Sequence, residues 1–208
     1  MVTAPRTVEF FFDPACPWTW MTSRWLVDAA GQTGTEIQWR NLSLGVINAG
    51  KDIPEQYRAA LEAARRVHRI VAALRDAGRN DLAGAYYTEY GRRTFHDEVA
   101  PDASLVAAVA EAVGAGDWAG AADDVRWDDV VESSTKEGQE LAGGSDVGSP
   151  VLAFGEPRAG IFGPIVSPPP TGDEAVALLD HVVATASMPA FFELKRGRQA
   201  GTQLGARP

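Results

Sequence analysis

Cysteine is nearly absent from this chain: Cys16 is the only one among 208 residues. No disulfide can close within the sequence, so the disulfide-stapled secreted scaffolds are excluded and a reducing compartment is expected. Positive charge is also scarce. Lys and Arg number 19 against 28 Asp and Glu, for a net charge of −9, which argues against nucleic acid as a partner because phosphate recognition needs clustered cations. No apolar run approaches the roughly 18 or more residues of a membrane span. The opening Met1-Val2-Thr3-Ala4-Pro5-Arg6 lacks the charged region, apolar stretch and small-residue site of a secretory leader. A cytoplasmic location is expected, with no membrane partner. Three scattered histidines and one cysteine give no zinc spacing. Neither Gly-x-Gly-x-x-Gly nor a Walker A loop occurs, so neither a metal nor a nucleotide cofactor is expected.

What is present is a well-supplied core. Hydrophobic residues make up 45% of the chain, with eight Phe, six Trp and four Tyr, so global disorder is excluded. Thr7–Phe12 is short, aromatic and β-prone, and reads as a buried strand. Residues 17–30 follow as a helix with Gly31 as its stop, and residues 36–44 alternate as a second strand. From 54 to 77, Tyr57, Leu61, Ala64, Val67, Val71 and Leu74 recur at steps of three and four, an amphipathic helix closed by Gly78. Residues 81–95, 104–113 and 127–141 read as further helices. Strand character returns at 150–154 and 159–162 around Gly155-Glu156-Pro157-Arg158, a hairpin connection. Ser167-Pro168-Pro169-Pro170 reads as a stiff linker, 173–186 as a helix, 189–195 as a short final helix, and the Gly-rich stretch from 197 as a frayed tail. The order β–α–β, helical block, β–β–α is that of an α/β thioredoxin-like fold with an inserted all-helical domain. Residues 1–47 and 144–208 would form the discontinuous thioredoxin-like domain, and 48–143 the insertion.

The chemistry concentrates on Cys16, which stands after an apolar strand and a turn, where a helix begins. Unpaired amides and the positive end of the helix dipole favour a thiolate there, and such sites lower a cysteine pKa from about 8.5 to roughly 3.5–7.5. Pro17 suits the first helical position because its missing N–H would have had no partner. The plainer reading is a buried structural cysteine. A Cys-x-x-Cys pair would make a redox dithiol, but here the second position is Thr19. The chain therefore cannot cleave its own mixed disulfide, and an external thiol must do so. Thr19 either donates a hydrogen bond to the Cys16 sulfur or simply packs in the first helical turn. In a thioredoxin-like fold, Pro150 after Ser149 would be cis and lie against Cys16, with the Ser149 backbone free to pair with a bound thiol; otherwise Pro150 only starts a strand.

Several other patterns carry no chemistry. Ser133-Ser134-Thr135-Lys136 fits Ser-x-x-Lys without its companion motifs. Asn41-Leu42-Ser43 is a sequon with no secretory route, and Asp123-Asp124 with Asp128-Asp129 lacks the glycine and glutamate of a calcium loop. His68 and His181 read as ordinary helix residues.

The run Asp13-Pro14-Ala15-Cys16-Pro17-Trp18 after a strand, with the Gly148-Ser149-Pro150 turn, resembles the DsbA-like thioredoxin superfamily, which includes kappa-class glutathione transferases and 2-hydroxychromene-2-carboxylate isomerases. With Trp18-Thr19-Trp20, residues 40–44 and 162–168, and Phe191-Phe192-Glu193-Leu194-Lys195-Arg196, the chain is more specifically similar to the mycothiol-dependent nitroreductase family. That family commonly has cysteine where Thr19 stands. The resemblance implies a low-molecular-weight thiol of the mycothiol type as cosubstrate. It also implies a pocket between core and helical lid lined by Trp18, Asn48, Tyr57 and His96, with His96 able to move protons near neutral pH. The leading expectation is a thiol-dependent oxidoreductase with Cys16 as nucleophile, acting on an electrophilic, nitroaromatic or disulfide substrate. One alternative is a kappa-class-like transferase or isomerase in which the cofactor thiol attacks. The other is a non-catalytic thiol- or peptide-binding module. A homodimer is left open.

Overall fold

The computed structural model describes residues 7–198 and 200–208; the opening residues, on which the leader reading rests, lie outside them. Strands β1 (Thr7–Phe12), β2 (Glu36–Asn41), β3 (Val151–Phe154) and β4 (Ala159–Phe162) form one sheet in the order β2-β1-β3-β4. β1 and β2 are parallel, while β3 runs antiparallel to both β1 and β4. The three phenylalanines of β1 explain its central place. Successive side chains point to opposite faces, so Val8, Phe10 and Phe12 enter the main core while Phe11 joins Leu42, Val151 and Ala153 beneath the other face. A strand covered on both sides reads as a continuous apolar run, not as an alternation.

Helix α1 (Pro17–Thr33) crosses from β1 to β2, and α2 (Leu44–Ile47), α3 (Glu55–Asp76), α4 (Asn80–Gly91), α5 (Ala103–Ala112) and α6 (Asp128–Leu141) intervene between β2 and β3. Helix α7 (Gly172–Ala186) follows the sheet and packs on α1, where the Trp25 indole donates to the Ala175 carbonyl at 3.0 Å. On the opposite face, Arg40 and Arg158 each pair with both Glu9 and Glu137, closing a ring of charge over the smaller cluster.

The structure corrects several boundaries. β2 ends at Asn41 instead of 44, because Ser43 turns the chain and accepts the Val46 amide at 3.3 Å to cap α2. α1 continues through Gly31 and stops at Gly34, whose φ of 70° is left-handed. The helix expected over 81–95 gives way after Gly91 to a π-helical turn, Arg92–His96, a form frequent at functional sites. Residues 189–195 are not helical. The tail from 200 is not frayed: Ser167 Oγ donates to the Gly201 carbonyl at 3.1 Å and accepts the Gln203 amide at 2.9 Å. Leu204 packs on the core, and Arg207 grips Asp97 at 2.7 and 2.9 Å.

Two glycines set how closely the helices approach the sheet side. The Trp39 ring lies on the backbone of Gly84 and the Trp20 ring on that of Gly91, leaving no room for a β-carbon at either position. Gly91→Ala should therefore displace Trp20 and lower unfolding stability by about 1–3 kcal/mol, the usual cost of overpacking. Urea denaturation followed by tryptophan fluorescence checks this, and an unchanged midpoint would refute the contact.

Candidate active site around Cys16

The chain leaves β1 at Asp13, whose side chain is fully buried. Its carboxylate accepts the Ala15 amide at 2.7 Å and the Leu44 amide at 2.6 Å, while its carbonyl accepts the Cys16 amide at 3.2 Å. The turn is thereby fixed, and Cys16 becomes the N-cap residue of α1, its carbonyl receiving the Trp20 amide at 3.0 Å, with Pro17 in the first turn as expected. Cys16 is half-buried and free.

The loop before β3 closes the other side. The Ser149–Pro150 peptide is cis and both residues are buried. Ser149 Oγ accepts the Asp13 amide at 2.9 Å and lies 2.8 Å from Thr19 Oγ1. With the Ser149 oxygen taken by an amide proton, its own hydroxyl proton is available to Thr19, which frees the Thr19 proton for the sulfur. The Thr19 hydroxyl and the amides of Thr19 and Trp18 all pull the Cys16 thiol down. They do not prevail. Burial pushes the thiol above its ordinary value, and the Asp13 charge pushes in the same direction. The expectation of a lowered pKa at this helix start is thus overturned: desolvation of the anion outweighs the helix amides.

Beneath the turn lies a buried polar cluster that the sequence reading missed. His68 Nε2 stands 3.4 Å from Asp13 Oδ2, and its Nδ1 lies 2.9 Å from the Asn41 amide nitrogen, which also donates to the His68 carbonyl at 3.0 Å. All three side chains are fully buried. With Asn41 donating to Nδ1, the ring proton sits on Nε2, facing the carboxylate. His68 is therefore a support of the Asp13 turn and no ordinary helix residue. His181 is the ordinary one, exposed and bonded to its own helix at Ala177.

The residues expected from the resemblance are placed unequally. Trp18 is half-buried beneath the Arg198 guanidinium, 4.5 Å from its ring centroid. Asn48 ends α2 and donates back to the Leu44 carbonyl at 2.9 Å, one short helix from the amide that binds Asp13. Tyr57 is 54% exposed on the first turn of α3, with no ring contact or side-chain hydrogen bond among the described residues. His96, on the π-helical turn, accepts the Trp20 indole N–H at Nε2 over 3.1 Å. Burial, then the Arg207 and Arg24 charges, hold its pKa below the ordinary value, against Asp97. Among the described residues no cluster of three or more His, Cys, Asp or Glu could hold a metal, and no helix is long and apolar enough to cross a membrane.

Two titrations check these electrostatics. Alkylation of Cys16 should rise with a midpoint above about 8.5, the ordinary thiol value; Thr19→Val should move it further up and Asp13→Asn down. A midpoint below 7 would contradict the dominance of burial. By NMR, His96 should titrate below about 6.5, staying neutral and able to accept from Trp20 at pH 7, and Arg207→Ala should raise that midpoint by removing a cation and freeing Asp97. No movement would show that the tail does not act on His96.

The family described as Rv2466c-like, mycothiol-dependent nitroreductase Rv2466c, matches residues 15–196. The uncharacterized protein Rv2286c of Mycobacterium tuberculosis is 32% identical over 203 residues, covering 91% of this chain and 81% of that protein. The cytosolic disulfide reductase DsbM from Pseudomonas aeruginosa, solved with GSH, superposes with a TM-score of 0.57 at 15% identity, over 86% of this chain and 99% of that one. A 2-hydroxychromene-2-carboxylate isomerase gives a TM-score of 0.55 at 15% identity, over 86% and 94%. These structural likenesses establish the DsbA-like, thioredoxin-like fold with its helical insertion. The chain belongs to the Rv2466c-like family of mycothiol-dependent nitroreductases.

Proposed function

We propose that this protein is a thiol-dependent oxidoreductase in which Cys16 is the single nucleophile and a low-molecular-weight thiol of the mycothiol type is the reductant. The observation that carries the reading is the setting of the one thiol. It caps α1, the Thr19 hydroxyl and two amides favour its anion, and the Ser149–Pro150 loop is bonded to the turn that holds it. The substrate would lie between the thioredoxin-like unit (residues 1–47 and 144–208) and the helical unit (48–143), near Trp18, Asn48, Tyr57 and His96. Family membership supports a thiol partner, and with it a place in the cytoplasm.

With a disulfide substrate, the Cys16 sulfur bonds to one sulfur and the other leaves as a thiolate. A free thiol then attacks the mixed disulfide, restoring Cys16 and releasing a new disulfide. With a nitroaromatic, two thiols supply two electrons and two protons; the nitro group becomes nitroso, water leaves, and the thiols depart as a disulfide. Because burial keeps the resting thiol protonated, its proton must leave as the sulfur–sulfur bond forms. Thr19 and the helix amides stabilise the anion at that moment.

The same upward shift favours a second reading, in which the cofactor's own thiolate attacks and Cys16 and Thr19 only hydrogen-bond to it, as in kappa-class chemistry. Cys16→Ser separates the two. On the first reading, turnover with mycothiol falls at least about 100-fold and wild-type protein shows a mixed-disulfide adduct on Cys16 by mass spectrometry. Turnover that survives the substitution supports the second reading. A wild type with neither turnover nor adduct is a binding module.

A further inference from the structure

Beside the charged ring that covers the smaller cluster, the last turn of α3, strand β2 and helix α6 border an open cavity of about 340 Å³. Small-molecule sites begin at roughly this size, about 300 Å³. Asp129, Ser133 and Glu137 recur every four residues, so one face of α6 lines the cavity, while Arg40 lines it from β2 and Arg75 from α3. Ser134 also borders it, but its hydroxyl already donates to the Asn41 carbonyl at 2.8 Å. The Ser133 hydroxyl has no such partner among the described residues. None of these side chains belongs to the cluster that holds Cys16.

Nearly every charge around this cavity is answered. Arg40 pairs with Glu9 and Glu137, and Arg158 with the same two acids. Between α3 and the segment entering α6, Arg65 and Arg69 hold Asp128 at 2.6 and 2.7 Å, and Arg66 holds Asp123 at 2.5 Å. Two charges are left over, and both line the cavity. Arg75 and Asp129 have no hydrogen bond or ion pair from their side chains among the described residues, and they do not reach each other. In a space of this volume they are separated by no more than one small molecule. Arg75 is half-buried and Asp129 and Ser133 are exposed, so all three are open to a ligand. Burial, then the Arg40 charge, pushes Arg75 down to about 10 against Glu137 and Glu9, which leaves it a cation at neutral pH. A half-buried cation next to another cation is costly without a counter-ion.

We propose that this cavity binds a free α-amino acid, with its carboxylate on Arg75 and Ser133, its ammonium on Asp129 and an apolar side chain against Val130. The charges select the class. A simple anion would meet Asp129 and Glu137, and a simple cation would meet Arg75 and Arg40, whereas a zwitterion answers both unpaired groups at once. Val130 supplies an exposed apolar wall in the same cavity. The site lies apart from the thiol chemistry and does not depend on it. Each charge-assisted hydrogen bond discriminates a ligand that has its partner group from one that lacks it by roughly tenfold or more.

The experiment is an NMR titration of the full chain with L-leucine, with 4-methylpentanoate, which lacks the ammonium, and with 3-methylbutylamine, which lacks the carboxylate. Wild type, Arg75→Gln and Asp129→Asn are compared, and the same spectra report whether each variant is folded. Leucine is expected to shift the amides of residues 129–134 saturably, with both analogues weaker by about tenfold or more. Arg75→Gln should abolish the advantage of leucine over the amine, and Asp129→Asn its advantage over the carboxylate. No saturable shift on α6, an analogue that binds as tightly as leucine, or leucine binding unchanged in either variant overturns the site. Should a variant not fold, the ranking of the three probes on wild type decides the matter. Leucine binding in a protein without thiol turnover would leave this site standing while the redox reading fell.

Discussion

The turn that holds Cys16 depends on one buried carboxylate. Asp13 stands where β1 ends, and its backbone and side chain together hold the Cys16 turn, the start of α2 and the loop that carries Pro150. A carboxylate in the interior is costly unless its lone pairs are filled. Here two backbone amides fill them, with His68 behind. The segments so joined come from both ends of the chain and from the helical block between. Cys16 is thus positioned by groups distant in sequence, and the turn cannot be understood as a local motif.

That arrangement also explains the state of the sulfur. The same carboxylate that fixes the turn repels a thiolate beside it, and the packing that secures the turn removes water from the anion. Helix amides and a threonine hydroxyl offset these effects only in part.

Much of this was legible in the sequence. The phenylalanine run, the strand–turn–helix around Cys16, Pro17 in the first turn and the return of strands after a long helical stretch give the strands and the order of elements along the chain, since each follows from local pattern. What escaped was set by contacts across the chain. His68 shows nothing at helical spacing to mark it, because its partners Asp13 and Asn41 lie on other elements. The tail reads as disordered by composition, yet Leu204 and Arg207 find apolar and acidic partners on the body. The π-helical turn that presents His96 has no signature in the residues themselves. The thiol's raised pKa is illegible for a related reason: the helix start is visible in sequence, but the depth of burial is not.

Asn80 lies against β2 at the far edge of the sheet. Its side-chain oxygen accepts the Trp39 amide at 2.9 Å and its nitrogen donates to the Ile37 carbonyl at 2.8 Å, so the amide occupies β2 as a neighbouring strand would. An edge that is filled in this way offers no template for another chain. Among the described residues the sheet is left lopsided, capped beside β2 and without a strand partner on the outer side of β4. Any association by strand addition would therefore be directed to the β4 border, beside the end of α6, whose Leu141 backbone lies against Gly160.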